Sequence, residues 1–326
     1  MKRYTLPLIL ASTLIAQSAR AQSSTPVIGY YKFDVPKGTT IWSCGFVTKK
    51  EFQGAMTSRT VAANSVIFQS GASFGNFTTL PHYVEILSGP NAGWIVDIIP
   101  GPENDATHIK VNANLGVLAG TETYCVRKHN TLGTVLPSGS GLIDGTDTVT
   151  IYTETGGTTY TSNGSNWEDG GANDADGTII YPGQGFIIDH PAVAPATVTI
   201  GGNAVSYVKY GPTKVPLYFG VPNLIGLVNP LVAKNPLDPA YAASRTQIGN
   251  YGLVASLIAG ADSVDHYSQN GLFTSPGSYS SNGSNLEDGG ANDVSTDLVD
   301  NGAGLVVSVN GPADGTYTAP QVHPNP

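Results

Sequence analysis

The stretch that decides the fold reads LIDGTDTVTIY from Leu142 to Tyr152 and SNGSNWEDGGAND from Ser162 to Asp174. Both return later, as LIAGADSVDHY from Leu257 to Tyr267 and SNGSNLEDGGAND from Ser281 to Asp293. The acidic segments share twelve of thirteen residues, and the single difference is Trp167 against Leu286. Downstream, Pro182-Gly183-Gln184-Gly185-Phe186-Ile187-Ile188 stands opposite Asn301-Gly302-Ala303-Gly304-Leu305-Val306-Val307. A unit of strand, polar hairpin, long acidic loop and strand therefore occurs twice, with its parts in fixed order.

Working outward, short β-branched and aromatic runs recur between clusters of Gly, Pro, Asn and Asp. They fall at Val27–Val35, Val61–Phe68, Tyr83–Leu87, Trp94–Ile99, His108–Val111, Tyr124–Arg127, Thr146–Thr153, Gly185–Asp189, Thr197–Ile200 and Gly304–Val309. Runs of this kind, with turn signals every ~8–12 residues, belong to sandwiches and barrels. The 40 Gly and 22 Pro oppose long helices, because each weakens a helix interior. Hydrophobic residues at 40 % are still enough to bury a core. The expected fold is all-β, sandwich- or barrel-like, with helix only around Lys49–Met56 and within Asp238–Ala259.

A weaker echo sets Tyr30-Tyr31-Lys32-Phe33 against Tyr207-Val208-Lys209-Tyr210, each followed by Val-Pro. The offset is 177 residues there and 115 at Leu142, so the first copy carries 62 extra residues. The expected organisation is a first β unit over 22–202, with a β insertion at about 66–127, and a second over 203–326.

Residues 1–21 read as a cleavable leader: Lys2 and Arg3, an apolar run from Tyr4 to Ile15, then Ala19-Arg20-Ala21. The run is too short for the ~20 residues that cross a bilayer. The reading places the chain in a periplasmic, secreted or cell-surface setting with no membrane span after cleavage. Without residues 1–21 the balance is 12 basic against 24 acidic residues, net −12, which excludes nucleic acid as a partner because phosphate contacts supply most of that affinity.

The acidic loops are the candidate site. Asn163, Asn166, Glu168, Asp169 and Asp174 in one copy, with Asn282, Asn285, Glu287, Asp288 and Asp293 in the other, offer hard oxygen donors on a Gly-rich backbone. Ca²⁺ takes such ligands, six to eight at ~2.3–2.6 Å. The register is not that of an EF-hand, and the same residue types also build Asx turns. Cys44 and Cys125 are the two cysteines, and in an oxidising compartment they can pair. A bridge closing that loop would stabilise by roughly 4 kcal/mol.

Catalytic signatures are weak. Glu168 with Asp169, or Glu287 with Asp288, are adjacent in sequence, whereas glycosidase carboxyls flank a bond at about 5–10 Å. His82, His108, His129, His190, His266 and His323 lack metalloprotease spacing, and Pro137 precedes the nearest approach to a nucleophile elbow, Ser138-Gly139-Ser140-Gly141. Trp42, Trp94 and Trp167 read mainly as core, with Trp167 in a loop yet at a packing position, since Leu286 replaces it.

The order of pieces also carries a resemblance. An early Tyr-Lys-Phe strand leads to Val35-Pro36, followed by Leu87-Ser88-Gly89 with Ala92-Gly93. Next come an Asp-x-Val…Tyr hairpin with Trp167, a Pro-Gly-x-Gly-Phe strand, and the hairpin theme again. The chain resembles a family of secreted, uncharacterised proteins of verrucomicrobial bacteria. The second copy departs from the pattern at Leu286 and Asn301. The resemblance implies export and supplies no functional residues. The expected function is a non-enzymatic exported β protein of structural or surface-interaction type, its acidic loops fitting Ca²⁺ stabilisation. A carbohydrate-binding or adhesive module is the first alternative and a polysaccharide hydrolase the second, with glycans or other surface proteins as partners.

Overall fold

The computed structural model describes residues 30–44, 46–74, 77, 81–201, 213–226, 245–248, 253, 257, 260–266, 277–300, 304–310 and 315–319. The leader at 1–21, the Tyr207–Tyr210 segment and most of Asp238–Ala259 lie outside these residues. The chain opens with β1 (Tyr30–Val35) and β2 (Gly38–Ser43). A separate group follows: β3 (Lys50–Ala55), β4 (Ser58–Arg59), β5 (Val66–Phe68), β6 (His82–Ile86), β7 (Ile95–Asp97), β8 (His108–Lys110) and β9 (Thr123–Lys128). Next come β10 (Asn130–Thr131), the one-turn helix α1 (Leu132–Val135), β11 (Thr148–Thr153), β12 (Gly156–Ser162), β13 (Trp167–Glu168), β14 (Ile179–Ile180), β15 (Gly185–His190) and β16 (Ala196–Gly201). The remainder holds β17 (Thr213–Leu217), β18 (Pro222–Gly226), β19 (Arg245–Gln247), β20 (Ser263–His266), β21 (Gly277–Ser281), β22 (Leu286–Glu287), β23 (Leu298–Asp300), β24 (Gly304–Ser308) and β25 (Gly315–Ala319).

The protein is all-β; among the described residues every strand pair is antiparallel and no sheet closes on itself. It is thus sandwich-like rather than a barrel. One five-stranded sheet has the order β13-β12-β11-β15-β2 and the other β22-β21-β20-β24-β18. Two small pairings flank each: β1-β16 with β10-β14, and β17-β25 with β19-β23.

The two five-stranded sheets meet across β2, β11 and β15 on one side and β18 and β24 on the other. Their contact is apolar: Ile41, Leu224 and Val306 are buried together, with Tyr152 and Ile187 packed on them. Glycine permits this approach at two matching places. A Cβ on Gly185 would stand 3.2 Å from the Leu224 Cβ, and one on Gly304 would stand 2.3 Å from the Ile41 Cγ2. Backbone bonds add to the join, with Gly226 N–H donating to the Gly183 carbonyl at 2.9 Å.

The β3–β9 group forms its own pair of sheets, β3-β9-β6-β7 and β4-β5-β8, over a core running from Met56 to Val126. Its strands begin at Lys50, sixteen residues ahead of Val66. The helix expected at Lys49–Met56 is instead β3, hydrogen-bonded along β9. Pairing with Thr123–Lys128 and the packing of Phe52 on that core override a weak local helix preference.

The expected Cys44–Cys125 bridge is not formed; both thiols are free and buried. Their surroundings differ. Cys44 Sγ lies 3.6 Å from the Phe46 carbonyl, while Cys125 Sγ lies 3.7 Å from the Glu85 carboxylate. Burial pushes each thiol up to about 11, so both stay protonated and unreactive at neutral pH.

Candidate functional site

The ten acidic-loop residues named from the sequence fall on two loops of the same geometry. Asn163 Oδ1 accepts from Ser165 and Asn166 N–H at 2.8 and 2.9 Å, and Asn282 Oδ1 accepts from Ser284 and Asn285 N–H at 2.8 and 2.7 Å. The amide nitrogens of Asn163 and Asn282 donate to Glu168 and Glu287. Asp169 Oδ1 takes the N–H groups of Gly171 and Asn173, and Asp288 Oδ1 those of Gly290 and Asn292. Backbone donation from Asn173 and Asn292 holds these carboxyls below their ordinary value. Asp174 accepts from Asp176 N–H, and Asp293 from Ser295 N–H.

Several of the oxygens a cation would need, those of Asn163, Asp169, Asn282 and Asp288 among them, are thus engaged by their own loops. Among the described residues no group of three or more His, Cys, Asp or Glu is gathered in metal-binding fashion. Ala172 and Ala291 both sit at φ 58°, the left-handed conformation that closes each turn. Each loop is carried by an outer strand, β13 or β22, on the edge remote from the strands shared between the sheets. Trp167 belongs to β13 rather than to a loop; it is 2 % exposed and its Nε1–H donates to the Leu136 carbonyl at 2.6 Å.

A concave site lies elsewhere among the described residues. A cavity of about 440 Å³ opens where three groups of strands meet. The β3–β9 group contributes Trp94, Asp97 and Asn112, the first five-stranded sheet and its loops contribute Tyr152, Glu154, Tyr181 and Gln184, and β17 to β18 contribute Lys214, Tyr218 and Asn223. That volume lies in the ~300–1,000 Å³ range of ligand pockets.

Its walls are fixed by side chains bonded to backbone. Gln184 accepts from Tyr181 N–H at 3.0 Å and donates to the Tyr152 carbonyl at 2.8 Å. Asn223 accepts from Tyr218 N–H at 2.7 Å and donates to the Tyr218 carbonyl at 2.9 Å. Lys214 ties β17 to the turn before β7, its N–H donating to the Gly93 carbonyl at 3.0 Å and its Nζ to the Pro90 carbonyl and Asn91 Oδ1.

At the base, Asp97 Oδ2 accepts from the Tyr181 hydroxyl at 2.7 Å and from Asn112 Nδ2 at 3.3 Å. The buried His129 Nε2 lies 2.9 Å from Asp97 Oδ1, off the hydrogen-bond axis, and the Tyr181 ring meets the His129 ring edge-on at 5.1 Å. Burial raises the Asp97 carboxyl, but His129, Tyr181 and Asn112 outweigh it and hold it below its ordinary value. Burial and the Asp97 charge push the Tyr181 hydroxyl far up, so it remains a donor.

The chain matches no family model, no curated protein and no solved structure. What the cleft can do must be read from its own groups: four aromatic side chains, the carboxyls of Asp97 and Glu154, fixed amides and a cation turned onto the wall. The sequence singled out Trp94 only as an aromatic and missed Asp97, Tyr181, Gln184, Lys214, Tyr218 and Asn223. One signal was present. Gln184 in the first copy stands opposite Ala303 in the second, so the repeat diverges at a residue that positions two cleft tyrosines.

Proposed function

We propose that the chain is an exported, non-enzymatic recognition protein of surface-interaction type, which takes its ligand in the cleft among the three groups of strands. The observation that carries this reading is the cleft itself: four aromatic rings from separate parts of the chain line one cavity, and amide side chains bond the backbones of three of them. Preorganised walls lower the ordering cost of binding, which is what a recognition site gains from such bonds. The leader expected at 1–21 and the resemblance to secreted proteins support export.

The non-catalytic reading rests on Asp97. Its carboxylate already accepts from Tyr181 and Asn112 beside His129, and it is held ionised, so it has no proton to give and little basicity to offer. Glu154, the other carboxyl at the cleft, is exposed. In this reading the acidic loops serve as self-bonded turns, with Asp169 and Asp288 accepting from the loops' own N–H groups.

Ligand-observed NMR with a panel of oligosaccharides, short peptides and nucleosides tests the reading, comparing the native chain with Trp94→Ala. The expected result is binding of at least one panel member that Trp94→Ala removes. Binding that is untouched by Trp94→Ala, or no binding by any member, would count against the cleft.

A further inference from the structure

The chemistry of the cleft narrows the ligand, on the reading that the cleft is the binding site. Charge comes first. Asp97 is held ionised and Glu154 lies at the mouth, while the ammonium of Lys214 is turned onto the Pro90 carbonyl and Asn91. With a net charge of −9 over the chain, the field repels phosphate, sulfate and uronate groups. Asp97 offers the cleft only its Oδ2 edge, which accepts from Tyr181 and Asn112, while Oδ1 is buried beside His129; that edge can take a further neutral donor but presents no open carboxylate face to a cation.

Shape and surface come next. Trp94, Tyr152, Tyr181 and Tyr218 line the cavity; Gln184 and Asn223 bond the backbones of the three tyrosines, and the Tyr181 hydroxyl is tied to Asp97. Such rings cover apolar C–H faces and still leave hydroxyl and amide groups to accept or donate. A neutral ligand with alternating C–H faces and hydroxyl edges uses both features, whereas a purely apolar ligand would leave Asp97 buried without water.

We infer that the cleft binds a neutral oligosaccharide, its sugar rings lying on Trp94 and Tyr181 and its hydroxyls donating to Asp97. Tyr181 acts as a positioning residue: its hydroxyl orients the Asp97 carboxylate that meets the sugar.

Tryptophan fluorescence reads this site selectively, because Trp42 and Trp167 are only 3 % and 2 % exposed while Trp94 is half-buried at the cleft. Acrylamide quenching of the full chain is followed with hexasaccharides of β-1,4-glucose, β-1,4-xylose, β-1,4-mannose, β-1,3-glucose and α-1,4-glucose. Polygalacturonate and tetramethylammonium serve as the anionic and cationic probes. The expected result is that at least one neutral hexasaccharide shields Trp94. Calorimetry then finds it bound roughly tenfold more weakly to Tyr181→Phe, about the effect of one lost positioning hydrogen bond.

Shielding by polygalacturonate or tetramethylammonium alone would overturn the ligand class and leave the cleft as the site. Calorimetric binding of a hexasaccharide with no shielding of Trp94 would overturn both. Absence of any binding to the panel would overturn the saccharide assignment, and an unchanged melting point for Tyr181→Phe shows that the variant is folded.

Discussion

The two five-stranded sheets and the cleft beside them divide the molecule into what is repeated and what occurs once. In the repeated part, Asp169 and Asp288 bond the same N–H groups at nearly the same distances, and Ala172 and Ala291 share one φ. In the part that occurs once, β7 brings Asp97 to Tyr181, while the residues aligned with Tyr181 and Gln184 are Asp300 and Ala303. The difference teaches that near identity of two segments here marks a fold-building device. Recognition is to be sought where the copies diverge and the β3–β9 group leans on them.

The sharpest way to break this division is to unfold one side of it. Arg127 and Glu85 are 2 % and 3 % exposed and joined at 3.1 Å inside the β3–β9 group. Glu85→Ala leaves a buried guanidinium without its carboxylate, at a cost of about 3–5 kcal/mol. Hydrogen exchange of this variant is expected to rise across β3 to β9 and at the cleft while β11, β12 and β15 stay protected. Uniform loss of protection would show that the division is not energetic.

A second substitution acts on the shared face. Gly304→Val drives a side chain into Ile41 and the Trp42 carbonyl, and overpacking of this kind costs roughly 1–3 kcal/mol. The control is Gly289→Ala, where nothing lies within 4 Å of the new Cβ. Calorimetric melting is expected to fall for the first and hold for the second. Equal behaviour would mean that the close approach at Gly304 is not needed.

Protonation separates the copies more gently. His190 is buried, with Nδ1 2.8 Å from Asp147 Oδ1 and Nε2 2.8 Å from the Ala194 carbonyl, whereas the aligned residue of the second copy is Val309. Burial disfavours the imidazolium, but the Ala194 carbonyl and the Asp147 carboxylate outweigh it, so its pKa is raised. The contribution is therefore fully present below the unfolded value of about 6.5 and is lost as pH rises through the folded value. Melting points taken upward from about pH 6 should decline more for the native chain than for His190→Gln. Parallel curves would remove His190 from the account.

The acidic loops give the smallest effect. Asp169 and Asp288 are partly exposed, and their lowered pKa values confine their contribution to pH above the usual carboxylate range, where it persists to neutrality. Asp169→Asn with Asp288→Asn should shift the melting point at neutral pH only slightly, with or without calcium. A large calcium-dependent shift in the native chain alone would return the loops to metal binding.

Much of this fold was legible beforehand, because β-branched runs between Gly and Pro clusters locate strands such as β6, β11 and β15 by local chemistry. β3 was not, since Lys-Glu-Phe-Gln-Gly-Ala carries no strand signal and becomes one by pairing with β9. β12, Gly-Gly-Thr-Thr-Tyr-Thr-Ser, is likewise set by its partner β11. The cleft was illegible for a different reason. Asp97 and Tyr181 are 84 positions apart and meet only through the docking of separate sheets, whereas the acidic residues stand side by side in sequence and draw notice.

The central claim is that ligand engages the unrepeated cleft and not the repeated loops. Hydrogen–deuterium exchange of the full chain, run with the neutral hexasaccharides and separately with millimolar calcium chloride, tests it most directly. The account predicts slowed exchange at 94–97, 152–154, 181–184 and 214–218 with sugar, and no change at 163–174 or 282–293 with either addition. Protection confined to the two acidic loops, with the cleft unaffected, would contradict it.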